Sequence, residues 1–79
     1  MSKLISLINL KVNKKSVVKK VDDFDQKFKC RLIELGFVNG EKVVVLKNFK
    51  NNKTLLVLVR GSVFALDYNL AEKIFVYEV

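Results

Sequence analysis

Few side chains in this 79-residue sequence are of a kind that does chemistry, and their spacing does not assemble them. Histidine is absent and cysteine occurs once, at Cys30, so neither a His-assisted nucleophile nor an imidazole and thiolate metal set can be composed. Asp22, Asp23 and Asp25 form an acidic group. Carboxylates suit a hard cation such as Mg or Ca, but a helix start explains these three better. Asp23 and Gln26 make an Asp-x-x-Gln capping box, and all three acids fall at the positive end of the helix dipole. The other carboxylates are scattered and no glycine loop is suited to cradling phosphate, so the chain is predicted to be no enzyme and to carry no cofactor or metal. Cys30 lies beside the apolar stripe of the same helix and reads as a buried or half-buried structural thiol.

What the chain does carry is positive charge and apolar surface. A net charge of +7 and a pI near 9.7 favour anionic partners: nucleic acid, an anionic membrane face or an acidic protein. Nearly all of that charge is lysine, with Arg31 and Arg60 the exceptions, and asparagine is abundant, so biased codon usage explains part of it. Residues 1–79 are predicted to form one domain, since a chain this short supports one core. A hydrophobic fraction of 51% with six Phe argues for packing rather than disorder. One cysteine implies a reducing compartment, and polar residues interrupt the N-terminal apolar stretch short of a signal peptide or span, so a cytoplasmic protein without membrane insertion is expected.

The elements that position these residues follow from periodicity. Lys3 to Leu7 reads as a short extended piece, Lys11 to Lys15 as a turn, and Val17 to Val21 as a strand. Phe28, Leu32 and Leu35 share one face of a helix predicted over 24–35. Gly36 stops it, with Phe37 folding back on the last turn. Asn39-Gly40 turns the chain into a strand from Glu41 to Lys47, which pairs across a tip at 48–53 with Thr54 to Arg60. Gly61-Ser62 reverses again into Val63 to Leu66. Asp67 caps a brief helical turn through Lys73, and Phe75 to Val79 closes as a strand. The order predicts a mainly β fold, a small and partly open barrel.

The central hairpin is apolar on both faces. Val43 and Val45 point one way and Val44 and Leu46 the other; likewise Leu55, Val57 and Val59 oppose Leu56 and Leu58. A small barrel has one interior, so the second face must be covered by the helix, by another copy or by a partner protein. The helix is the conservative expectation.

The arrangement Arg31-Leu32-x-x-Leu35-Gly36-Phe37-x-x-Gly40, then Val43-x-Val45, Val59-Arg60-Gly61, Ala65-Leu66 and Ala71-x-x-Ile74-x-Val76, resembles the FeoA family over most of the chain. The resemblance implies an SH3-like β-barrel with one α-helix between the first strands and the central meander, and a short helical turn before the last strand. It also implies a cytosolic accessory or regulatory protein of bacterial ferrous iron uptake, acting on the cytoplasmic GTP-binding region of the membrane transporter FeoB. A related domain occurs at the C-terminus of some metal-dependent repressors. The chain departs from the family pattern at Asn39, at Asn51-Asn52-Lys53-Thr54 and at Asp67, where proline, a proline-containing tip and a basic residue are frequent.

For such a module the predicted partner surface is Val44, Leu46, Leu56 and Leu58, rimmed by Lys42, Lys47 and Lys50, with charge steering encounter and apolar contact holding the complex. The alternative is a small basic β-barrel that binds nucleic acid. Phe24, Phe28, Phe37, Phe64 and Phe75 fall at core positions, which leaves Phe49, Tyr68 and Tyr77 for stacking. A homo-oligomer formed through the bare hairpin face is the third possibility.

Overall fold

The computed structural model describes residues 3–22 and 26–79, apart from the side chains of Gln26 and Phe28. The Asp23 capping box, the helix start at Phe24, Asp25 and the Phe28 stripe position therefore lie outside the described residues. The chain runs β1 (Leu4–Ser6), a 3-10 turn (Leu7–Asn9), β2 (Lys15–Val21), α1 (Gln26–Leu35), β3 (Lys42–Phe49), β4 (Thr54–Val59), β5 (Ser62–Asp67), α2 (Tyr68–Ala71) and β6 (Ile74–Glu78). All six strands join one antiparallel sheet in the order β1-β6-β2-β3-β4-β5, open between β1 and β5. The fold is mainly β and SH3-like, as expected.

Alternation builds the interior. Val43, Val45, Leu55, Val57 and Val59 turn inward and meet Val18, Leu66, Ile74 and Val76 from the neighbouring strands. Leu7 and Leu10, on and just after the 3-10 turn, close one end of this core. The expected extended piece therefore ends at Ser6 rather than Leu7, and the three-residue period of the turn puts Leu7 and Leu10 on the same side. Ser16 is buried among these residues and its hydroxyl donates to the Val43 carbonyl at 2.8 Å, so it carries no unmet polar group inside.

The helix ends as its residues dictate. Phe37 N–H donates to Leu32 C=O at 2.9 Å and Gly36 N–H to Ile33 C=O at 3.0 Å, the paired bonds of a Schellman cap. Gly36 has φ +112, which selects glycine, and a Cβ built there would lie 3.0 Å from Arg60 Cδ, so that side chain would have to shift. The cap tucks Phe37 into the core at 1% exposure. After a turn closed by Glu41 N–H on Val38 C=O, β3 runs two residues beyond the expected Lys47. A bulge at Leu46 lets it do so: Val45 pairs Val57 but Lys47 pairs Leu56. Arg60 and Gly61 both have positive φ and form the two-residue link between β4 and β5, one position earlier than predicted.

Helix α1 does not cover the second face of the hairpin, contrary to the conservative expectation. Its Leu32 belongs to the core cluster and its Leu35 packs on it beside Phe64 and Leu70, which places the helix over the open end of the inner side. One amphipathic helix offers one stripe, and Leu32 and Leu35 of that stripe are directed to the inner side. Among the described residues, no helix is long and apolar enough to cross a membrane.

Candidate functional site

The outer face of the sheet is a ladder of apolar side chains. Val44 sits opposite Leu58, and Leu58 opposite Val63; Lys47 sits opposite Leu56, and Leu56 opposite Ala65. The Leu46 bulge adds a further apolar side chain beside Lys47, since two bulge residues oppose one on the partner strand. Val44, Leu46, Leu56 and Leu58 are half-buried, and none of them is part of the core or packs against it. Val63 is 52% exposed. Among the described residues, the core and the side chains packed on it lie on the opposite side of the sheet.

Lys42 and Lys47 are exposed on β3 beside this ladder, and Lys15 stands across from Val44 on β2. Lys50 is not with them. It lies past the end of β3 at the hairpin tip, where it lines a separate groove with Lys11, Val12, Asn48 and Tyr68. The fold thus brings together six of the seven residues chosen from sequence. Sequence reasoning missed Val63 and Ala65, although the unbroken run Val63-Phe64-Ala65-Leu66 offered the same two-faced signal as β3 and β4.

Other chemistry-bearing residues are spread apart. Cys30 is exposed, which corrects the expectation of a buried or half-buried thiol. It precedes the buried Leu32 by two positions, about 200° around a helix of 3.6 residues per turn, and so points away from the core. Asp22 pairs with Lys20 at 3.7 Å. Glu41 accepts from Arg60 Nε at 3.1 Å, clamping the entry of β3 to the β4–β5 turn. Asp67 caps α2 as predicted, its Oδ1 accepting from Leu70 N–H at 3.0 Å. Among the described residues, no three of His, Cys, Asp and Glu gather as metal ligands would.

The candidates for stacking on bases are divided too. Phe49 is 42% exposed at the tip. Tyr68 is half-buried and its hydroxyl donates to Asn48 Oδ1. Tyr77 is half-buried between Leu4 and Val17 in the sheet. Phe37 is core and Phe64 packs on it, as expected, while Phe75 is half-buried with Lys20 Nζ 5.3 Å from its ring centre.

Comparison with known proteins fits this geometry. The family model described as FeoA domain matches residues 5–78. The crystal structure of Stenotrophomonas maltophilia FeoA with zinc, described as a procaryotic SH3 domain protein, is 33% identical with a TM-score of 0.80, covering 91% of this chain and 88% of that one. FeoA from Chlorobium tepidum is 28% identical with a TM-score of 0.85, over 95% of this chain and 70% of that one. A manganese-dependent transcriptional repressor shares the fold alone: at 15% identity and a TM-score of 0.91, all of this chain overlays 44% of the repressor. No curated protein matches the sequence significantly. With the family's glycine stop, its meander and its SH3-like sheet all in place, the chain belongs to the FeoA family, small domains associated with ferrous iron transport.

Proposed function

We propose that this protein is a cytosolic accessory or regulatory component of ferrous iron uptake that binds the cytoplasmic GTP-binding region of a FeoB-type transporter. One observation carries the reading: the outer ladder of Val44, Leu46, Leu56, Leu58 and Val63 is left outside the core after the helix has been placed. Contiguous apolar surface of this kind marks a contact site. Lys42 and Lys47 at its border steer an acidic partner, while the leucines hold it; Lys50 contributes from the tip at longer range.

Calorimetric titration against the cognate cytoplasmic region at physiological salt tests this. Binding should be detectable, should weaken at least tenfold in Leu58→Lys, and should fall only modestly as salt is raised, the part lost being the lysine steering. No binding, together with unchanged iron uptake in a deletion strain, would overturn it. The nucleic-acid alternative draws on Phe49 beside Lys50, and it predicts a much larger loss, because counterion release makes phosphate binding fall steeply with salt.

A further inference from the structure

The two edges of the open sheet are built differently. β1 is three residues long and follows the exposed Lys3. β5 has six residues, Ser62 to Asp67, contains no proline, lysine or arginine, and keeps an unbroken register on β4. Sheets protect their edges with short strands, charge, proline or bulges, because a row of free N–H and C=O groups invites another strand. β1 uses two of these devices. β5, with only Asp67 at its far end and that carboxylate committed to the α2 cap, uses none.

In an antiparallel pair, alternate residues direct their main-chain groups toward the partner and away from it. Among the described residues, the backbone of Ser62 through Asp67 bonds only to β4, apart from the helical bond with which α2 starts on its Asp67 cap. Alongside this edge runs a cleft of about 280 Å3 between α1 and β5, lined by Leu32, Leu35, Phe64, Leu66 and Leu70 and reached by Ala65 of the edge strand itself, with the exposed Arg31 at its border. Small-molecule pockets span about 300–1,000 Å3, so a cleft of this size suits one or two apolar side chains better than a metabolite. Arg31 has no ion-pair partner among the described residues.

We propose that β5 is a strand-addition site. An extended segment of the partner pairs with the free edge of β5, inserts an apolar side chain between α1 and Phe64, and sets a carboxylate against Arg31. Its opposite side chains continue the outer ladder past Val63 and Ala65. Main-chain pairing supplies affinity and the cleft supplies specificity, the usual division in strand addition. A second copy of the chain fits less well, since it brings a further charge of +7 to a surface that already carries Arg31 and the lysines. The inference rests on the transporter reading above and names the part of the partner that docks: an extended segment, apolar at its centre and acidic beside it.

The test combines amide hydrogen exchange with a guarded edge. In a complex of the 15N-labelled wild-type chain with the cognate cytoplasmic region, the outward amides of 62–67 should exchange at least tenfold more slowly. Ala65→Lys, at an exposed position, should weaken binding at least tenfold with an unchanged thermal midpoint. Binding that Leu58→Lys weakens, but with unprotected edge amides and full affinity in Ala65→Lys, would overturn strand addition and leave the docking reading standing. Edge protection that appears in the chain alone as its concentration rises would assign the edge to a second copy and overturn the proposal. Absence of any binding to the cytoplasmic region overturns both.

Discussion

Along β3 and β4 the same residue types face two ways. Val43, Val45, Leu55, Val57 and Val59 are at most 1% exposed, whereas Val44, Leu46, Leu56 and Leu58, their immediate neighbours, are half-buried on the outside. Nothing in the side chains themselves separates the two sets. The difference comes from what lies above each face: inside are Leu7, Leu32, Phe37, Ile74 and Val76, contributed by four other segments, whereas none of the outer ladder belongs to that core. Apolar surface left in this way forgoes about 25 cal/mol for each Å2 not removed from water, which is the driving force available to a partner that covers it.

If the two faces differ as described, Leu55→Ala should be the most damaging change, lowering stability by about 2–5 kcal/mol in urea unfolding, because the cavity is enclosed on every side. A much smaller loss would mean that the inner face is not the sealed one. Gly36→Ala attacks the hinge that dedicates α1 to the inner face. It combines an unfavourable φ with a 3.0 Å contact to Arg60 and should cost about 1–3 kcal/mol, measured by the same denaturation. Val63→Thr on the outer face should leave stability within about 0.5 kcal/mol and weaken titration with the partner, which sharpens the contrast between a face for folding and a face for binding.

Much of the fold was legible because local signals agreed with one another. The helix stop at Gly36-Phe37 and the cap at Asp67 each have a geometric cause that a sequence displays openly, and both formed as expected. Three features were less legible. The 3-10 turn at Leu7 has too few residues to show a period. The bulge at Leu46 shifts β3 by one position relative to β4 without any proline or glycine to announce it. The placement of α1 over Leu66 and Phe64, rather than over Leu56 and Leu58, depends on how the sheet curls, a property of the whole assembly. For the candidate site, the apolar surplus could be read from alternation alone, but Lys50 was grouped with Lys42 and Lys47 by proximity in sequence, and the hairpin tip carries it elsewhere. The open edge of β5 was hidden because strand order, unlike strand identity, leaves little trace in a single chain.

The pairing of Leu4 with Tyr77 ties together positions from opposite extremes of the sequence, whereas β3, β4 and β5 are joined by the tip at 50–53 and the link at 60–61. Closing a long loop costs more entropy than closing a short one, so the meander can assemble while β1 is still searching for its place. If the partner docks on β3, β4 and β5 as proposed, recognition falls to the portion of the molecule with the shortest loops to close, and loosening of the β1 seam should leave the grip on its companion intact.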